Sequence, residues 1–137
     1  IDRAALDRCK AALPFAAALR DDLLRDWFGR FITRYRNAQV PVAPEHPLSG
    51  ERFAGRLVAG ARLLRHPWAR MAWAGGKTGC VLYVCGQAYG ASPELAQRLC
   101  AERELTFERT PSAADRELLL ALVNDGHLLM RPARRRR

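Results

Sequence analysis

Residues 71–91 read MAWAGGKTGCVLYVCGQAYGA, and this stretch decides the class of fold. The run 80–85 has the β-branched and aromatic side chains that are typical of a strand, and the glycines before it suit a turn between two strands. A further turn at Gly86-Gln87 returns the chain through residues 88–89. The stretch therefore predicts two consecutive β-hairpins.

The sequence on both sides of the hairpins predicts helices with clear capping residues. Ser92 followed by Pro93 is typical of a helix start, because a serine side chain accepts from a free backbone N–H and proline has no N–H to leave unpaired. The predicted elements are a helix from Ser49 to Gly60, a strand at Leu63-Leu64, a helix from Ser92 to near Glu104, a helix from Ser112 to Asn124, and a strand over 127–130. Their order predicts an α+β, winged-helix-like domain over residues 49–132.

The N-terminal region, residues 1–40, is predicted to be helical in two or three pieces, because Pro14 can only begin a helix or kink one. Its apolar residues recur at steps of about four. They are Phe15, Leu19, Leu23, Leu24, Trp27, Phe28, Phe31 and Ile32. A helix pair of this length cannot bury such bulky aromatics alone, so this face must meet another part of the chain or another chain. Intramolecular packing and a dimer interface both stay open at this point.

Residues 41–48 contain three prolines and little apolar periodicity. This segment is predicted to be a linker or a loop that follows the surface. It separates the helical region from the winged-helix-like domain. A basic tail over 133–137 follows that domain.

The net charge of +9 invites a nucleic-acid partner, but its distribution weakens that interpretation. Arg131 and Arg134 to Arg137 supply five of the 23 basic residues. Residues 1–130 therefore carry 18 basic against 14 acidic residues, a net +4. A solvated basic tail is the simpler interpretation, and weak contact of the tail with RNA or with acidic surfaces is the alternative.

A winged helix that reads DNA presents Arg, Lys, Asn or Gln from its second helix to the major groove. Here that helix carries mostly acidic polar residues, which repel phosphates. They are Asp115, Arg116, Glu117, Asn124 and Asp125. The sequence therefore favours a protein-interaction module over a DNA reader.

Two other motifs carry little chemistry. Gly76-Lys77-Thr78 resembles the end of a phosphate-binding loop, but Met71 stands where the first glycine belongs and a strand follows instead of a helix. A hairpin turn is the better interpretation. Asp125 and His127 lie two residues apart, in a sequence that is typical of a turn rather than of a catalytic pair.

Metal and disulfide sites are not predicted. The cysteines form no C-x-x-C pair, and the three histidines start no H-x-D or H-x-E step. The cysteines are Cys9, Cys80, Cys85 and Cys100. Most lie among apolar neighbours, which favours reduced, buried thiols and a cytoplasmic protein.

Four segments resemble a known family. They are WFGRFITR at 27–34, LLRHP at 63–67, LYVCGQ at 82–87 and LLALVNDGHLL at 119–129. Together they look like the C-terminal part of the bacterial JmjC-type cupin proteins, the ribosomal oxygenases, and are similar to those that hydroxylate an arginine of a large-subunit ribosomal protein. The resemblance implies an N-terminal cupin domain that binds Fe(II) and 2-oxoglutarate, a helical dimerisation region and a C-terminal winged-helix domain.

No catalytic, cofactor-binding or metal-binding residue of that family has a counterpart in this sequence, because the cupin is missing from it. Ile1 is not an initiator methionine and starts within a helical pattern, so we expect a non-catalytic C-terminal fragment of an oxygenase that serves dimerisation and placement of a ribosomal protein. The predicted homodimer interface consists of Leu23, Leu24, Trp27, Phe28 and Phe31. The alternative is a stand-alone winged-helix nucleic-acid-binding module that uses the hairpin and the arginine tail.

Overall fold

The computed structural model describes residues 1–13, 20–34, 40–76 and 79–133. Within these ranges the chain forms five helices and six strands. The helices are α1 (Arg3–Ala12), α2 (Asp21–Thr33), α3 (Gly50–Val58), α4 (Pro93–Ala101) and α5 (Ala113–Asn124). The strands are β1 (Arg62–Arg65), β2 (Met71–Gly76), β3 (Gly79–Val84), β4 (Gln87–Ala91), β5 (Glu104–Leu105) and β6 (Leu128–Arg131). The predicted α+β class is confirmed.

The two predicted hairpins are the antiparallel pairs β2-β3 and β3-β4 of one sheet. Val84 pairs with Gln87, so the second turn consists of Cys85 and Gly86, one residue earlier than predicted. Both turn residues have positive φ, 48° and 86° respectively. These angles belong to a two-residue turn whose backbone matches the twist of the strands. Such turns usually contain Asn, Asp or Gly, so the cysteine at the first position made the turn hard to place from the sequence.

The second sheet has the order β5-β1-β6 and is also antiparallel. β1 therefore does not join the hairpins that follow it. The helix predicted to end near Glu104 stops at Ala101, and β5 begins three residues later. β5 was missed because two residues are too short to show an alternating pattern.

Serine caps fix the starts of the three helices of the winged-helix domain. The side chains of Ser49, Ser92 and Ser112 each accept a hydrogen bond from the backbone N–H three residues further on, at 3.3, 3.3 and 3.1 Å. Gly60 follows the end of α3 with φ of +78°, the conformation predicted for a glycine just beyond a helix.

The main core lies between α3, α4, α5 and the two sheets. It contains large side chains that are removed almost completely from water, and these include Phe53, Leu63, Leu82, Leu99, Leu105, Leu119, Leu122 and Leu128. A separate and smaller cluster joins α1 to α2 through Leu6, Cys9 and Leu24. The cluster between α1 and α2 is thus separate from the main core.

Residues 40–48 lie along the turn between α5 and β6. The Leu48 N–H donates to Asn124 Oδ1 at 2.8 Å, and Asn124 Nδ2 donates to the Leu48 carbonyl at 3.1 Å. Gly126 has φ of +79°, and a Cβ there would lie 2.3 Å from the carbonyl oxygen of Val42. Of the two predicted roles, this part of the segment takes that of a loop that follows the surface.

Some predictions fall on residues outside the described ranges. These are the helix kink at Pro14 with Phe15 and Leu19, the hairpin tip at Lys77-Thr78, and the tail residues 134–137.

Candidate functional site: the faces of the second helix

One face of α2 packs directly on the β2-β3-β4 sheet. A Cβ on Gly29 would lie 2.4 Å from the ring of Tyr83, closer than real side-chain atoms approach one another. The Tyr83 ring is only 2% exposed, so it has no room to move aside. Burial raises the pKa of the Tyr83 hydroxyl, and the Asp26 carboxylate of α2 raises it further. Glycine is thus the residue that lets α2 lie against this ring.

A polar contact fixes the same face of α2 to the turn at Cys85-Gly86. The backbone N–H of Gly86 donates to Thr33 Oγ1 at 3.0 Å, and this hydroxyl donates to the Gly29 carbonyl at 2.8 Å. Arg30 Nη1 donates to the Gly86 carbonyl at 3.4 Å. Since Thr33 is 2% exposed, its hydroxyl is the partner of a buried N–H that water does not reach.

A second face of α2 contacts α1. Leu24 is fully buried against Leu6 and Cys9. At the start of α2 the Asp21 carboxylate accepts hydrogen bonds from Lys10 and Arg3 of α1. The bond from Lys10 is the main cause of a pKa of Asp21 that is lower than usual. The charged contact and the apolar one hold the same helix pair.

A third face of α2 carries large apolar side chains, two of which are exposed. Leu23, Trp27 and Phe31 lie four residues apart on one side of the helix, and we call them the aromatic stripe. Leu23 is 55% exposed and Phe31 47% exposed. The rings of Trp27 and Phe31 stack with centroids 5.2 Å apart and 14° between their planes. The stack gives the stripe a flat and rigid apolar surface.

The predicted interface residues therefore occupy different places. Leu24 lies inside the subunit, and Trp27 and Phe28 are partly buried against the same small cluster. Leu23 and Phe31 project outward. Sequence reasoning did not single out Gly29 and Thr33, because a lone glycine in a helical pattern only weakens the prediction of a helix.

A polar groove of about 640 Å³ lies between α4, residues 106–112 and the start of α5. Three carboxylates line it, and they belong to Glu94, Glu108 and Asp115. Two arginines, Arg98 and Arg109, also line it. Arg98 is already engaged, because its Nε donates to Glu102 at 2.8 Å and its guanidinium lies 5.2 Å from the centre of the Phe107 ring. Acidic groups thus exceed free basic ones in this groove.

The exposed groups of α5 do not suit DNA reading. Asn124, the residue best suited to read a base, is occupied on both sides by the backbone of Leu48. Asp125 accepts a hydrogen bond from the Tyr89 hydroxyl at 3.1 Å. Burial, followed by this bond, raises the pKa of Tyr89 to about 12. Within the described residues Asp125 is thus bonded to Tyr89, and His127 Nδ1 has no bond to its carboxylate.

His127 is buried, with 6% of its surface exposed. Its Nδ1 has no hydrogen-bond partner among the described residues. Burial lowers the pKa of His127, and the nearby His66 also lowers it, whereas Asp125 acts in the opposite direction. Burial of the ring thus favours its neutral form, as suits a core position.

No group of three or more His, Cys, Asp or Glu in the described ranges is arranged to hold a metal ion. Cys9 and Cys80 are buried, and Cys85 and Cys100 are partly exposed. Burial raises the pKa of the Cys80 and Cys100 thiols, which makes both less reactive. Among the helices in these ranges, none has the length and apolar character needed to cross a membrane.

Capped helices on two small sheets, with a docked N-terminal helix pair, define a module of the winged-helix class. The sequence matches the family model of the ROXA-like winged helix over residues 11–129. The chain therefore belongs to the ROXA-like winged-helix family.

The fold is similar to that of a bacterial protein with several solved structures. The structure of YcfD, a ribosomal oxygenase from Escherichia coli, superposes with a TM-score of 0.69 at 22% identity, over 95% of this chain and 36% of that one. Another structure of E. coli YcfD gives a TM-score of 0.71 at 21% identity, over 96% and 35%. A third, in complex with cobalt and 2-oxoglutarate, gives 0.70 at 22%, again over 95% and 36%.

The chain thus spans about a third of the length of the solved structures that it matches. At this level of identity the likeness establishes the fold. No curated protein matches the sequence significantly.

Proposed function

We propose that this chain is the non-catalytic C-terminal part of a Fe(II)- and 2-oxoglutarate-dependent protein hydroxylase of the ribosomal oxygenase type. In this proposal Fe(II) and 2-oxoglutarate bind to a cupin domain, and no step of the reaction is assigned to this chain, whose described residues offer no metal-binding group. This part of the protein forms the contact between the two subunits of a homodimer and positions a ribosomal protein as the substrate. The similarity in fold to YcfD supports the proposal that the chain is part of a ribosomal oxygenase.

The observation that carries the dimer is the aromatic stripe. A two-fold interface brings a surface against its own copy, so that surface must be complementary to itself. An apolar stripe meets this condition, since Leu23, Trp27 and Phe31 can face their own copies without placing like charges together. The stripe also lies on a helix that is fixed to the sheet through Gly29 and Thr33, which lowers the entropy lost on association.

The double variant Trp27→Ala with Phe31→Ala tests the dimer. We expect the unchanged chain to have the mass of a dimer in light scattering and the double variant to have the mass of a monomer. Large aromatic side chains at the centre of an interface typically contribute about 2 kcal/mol or more each, so the dimer should dissociate at micromolar concentration.

Trp68→Ala is the matched control, because Trp68 is 41% exposed and lies outside the stripe. It should leave the dimer intact. Circular dichroism must show that the double variant remains folded, which we expect because Leu24 retains the contact with α1. A folded double variant that remains a dimer contradicts the assigned interface.

The acidic groove beside α4 supports the second part of the proposal, the placement of a ribosomal protein. Ribosomal proteins contact RNA through surfaces rich in Lys and Arg, and a groove lined by Glu94, Glu108 and Asp115 is complementary in charge to such a segment. The start of α5 is capped by Ser112, so Asp115 is held on a fixed helical turn at the edge of the groove.

Binding of a labelled basic peptide tests the groove. The triple variant Glu94→Gln, Glu108→Gln, Asp115→Asn should weaken binding at least about threefold, since exposed ion pairs contribute roughly 0.2–1 kcal/mol each. The control removes three carboxylates elsewhere, through Glu45→Gln, Glu51→Gln and Glu117→Gln. Equal losses in both variants would show an effect of net charge and contradict a role for the groove.

A further inference from the structure

A second groove, of about 380 Å³, lies between the end of α3 and the end of β6. Its walls carry Arg56 and Arg131, and its floor is apolar, formed by residues such as Met130 and Pro132. No carboxylate lines it. It thus differs from the groove beside α4, where three carboxylates lie among the lining residues.

A third arginine extends the positive surface. Arg52 precedes Arg56 by one helical turn, so both side chains project from the same side of α3. Arg52, Arg56 and Arg131 are exposed and form no ion pair with any described residue. We call these three residues the arginine patch.

Glu104, a carboxylate on the same sheet as Arg131, is already paired. Arg62 pairs across the strands with Arg131, and it forms an ion pair with Glu104 at 2.9 Å. Its Nε also donates to the Pro132 carbonyl at 3.2 Å. Arg62 therefore neutralises the Glu104 carboxylate, and Arg131 forms no ion pair within the described residues. The sequence then continues from Ala133, at the groove, into four further arginines.

We propose that the arginine patch binds the phosphate backbone of a single-stranded nucleic acid, which is RNA in the ribosomal setting proposed above. The choice of RNA rests on that proposed function, whereas the patch itself does not. Every cation here is an arginine, and the planar guanidinium donates two parallel hydrogen bonds to a phosphate. An apolar floor between such groups suits a strand whose phosphates lie along the rim.

Two features set the kind of binding. Among the described residues that line the groove none is aromatic, so base stacking contributes little and binding depends on salt rather than on sequence. A duplex is disfavoured, because the reading helix α5 offers Asp115 and Glu117 and its Asn124 is occupied by Leu48. The site is therefore proposed to bind the phosphate backbone of the nucleic acid without recognising its bases.

The test measures binding of the full chain to a labelled oligouridine of about 20 nucleotides by fluorescence anisotropy, between about 50 and 200 mM salt. The patch variant is Arg52→Gln, Arg56→Gln, Arg131→Gln. Each lost phosphate contact lowers the slope of log K against log salt by about 0.7, so the patch variant should lose about 2 in slope and at least about tenfold in affinity at low salt.

Three exposed arginines on other surfaces provide the control, Arg8→Gln, Arg103→Gln, Arg109→Gln. This variant has the same net charge as the patch variant and should keep most of the slope. A variant with Arg52, Arg56 and Arg131 replaced by lysine should bind with an intermediate affinity, because charge remains and the paired donors are lost. Matching thermal unfolding curves must accompany each comparison.

Three results would overturn the proposal. The patch and control variants could lose affinity equally, which means that binding follows net charge or the tail alone. Polyglutamate could displace the oligouridine at equal charge, which means that the patch is a site for an acidic protein. An oligothymidine could bind more tightly than the oligouridine, which excludes RNA as the preferred strand. A dimer that persists in the Trp27→Ala, Phe31→Ala variant would contradict the assigned dimer interface and would leave each of these three results unchanged, so the two proposals fail separately.

Discussion

The helical region and the winged-helix domain are stabilised in different ways. The winged-helix domain has a core of large side chains from three helices and two sheets, and many of them are fully buried. In the described part of the helical region, only Leu6, Cys9 and Leu24 are buried together. The helix pair instead depends on the sheet, through the contact of Gly29 with Tyr83 and the hydrogen bond from Gly86 to Thr33.

This difference explains where the open apolar surface lies. One apolar face of α2 packs on α1 and another lies on the sheet, whereas a third includes the exposed side chains of Leu23 and Phe31. This third face is the aromatic stripe. The winged-helix domain presents grooves lined by charged groups instead, so the two regions suit different kinds of partner.

The largest expected change in stability comes from Gly29, where α2 contacts the sheet. Gly29→Ala should destabilise the chain by about 1–3 kcal/mol, because the new Cβ would lie 2.4 Å from a buried ring, and Gly29→Val should do more. Urea unfolding measures the change. Gly55→Ala is the matched control within another helix, where a Cβ would meet no atom within 4 Å, and it should stabilise by about 0.5–1 kcal/mol.

If Gly29→Ala leaves stability unchanged, α2 does not lie on Tyr83 as described. A double variant tests whether the loss of stability comes from the contact between positions 29 and 83. Replacing Tyr83 by leucine removes part of the ring that the new Cβ meets, so the cost of Gly29→Ala should be smaller in that background. Additive costs would place the effect of the alanine somewhere other than in this contact.

The next effect comes from the polar part of the same contact. Thr33→Val preserves shape but leaves the buried Gly86 N–H without its acceptor, so we expect a loss of about 1–3 kcal/mol in the free energy of unfolding. Thr33→Ser keeps the hydroxyl and should restore most of it. A loss in the serine variant without a loss in the valine variant would mean that the methyl group, rather than the hydrogen bond, holds α2 to the turn.

The fold was largely predictable from local signals, whereas the docking of α2 was not. The caps at Ser49, Ser92 and Ser112 mark helix starts because they act within three residues. The position of β1 between β5 and β6 depends on pairing between distant residues, which periodicity does not encode. The periodicity of α2 revealed an apolar face but did not separate Leu24, which is buried, from Leu23, which is exposed.

There is also a physical reason why the roles of Gly29 and Thr33 were not predicted. Glycine at position 29 and threonine at position 33 are poor helix formers, so sequence reasoning treats them as neutral or unfavourable in a helix. Their value appears only when Tyr83 and Gly86 are brought alongside by the sheet. A site made by two regions together cannot be read from the pattern of either one.

A smaller effect on stability depends on pH and comes from His127, in the core of the winged-helix domain. The pKa of His127 is lower in the folded chain than the usual 6.5, so the unfolded chain takes up a proton first as the pH falls. The stability contribution is fully present above that usual value and is lost as the pH falls below it. His127→Gln should flatten the decline of the melting temperature between about pH 8 and 5, and His46→Gln, at an exposed histidine, should not.

The smallest effect tests whether charge or packing holds α1 to α2. Asp21→Asn weakens the contacts with Lys10 and Arg3, but the carboxylate is partly exposed, so we expect only a slight fall in melting temperature that disappears at high salt. Since the pKa of Asp21 is lowered, its contribution exists above the usual 3.8 and is lost as the pH falls below it. Glu45→Gln, at an exposed loop position, is the control. A large fall at Asp21 that persists in salt would mean that the helix pair is held by its charges, and that the buried Leu24 contributes less than its position indicates.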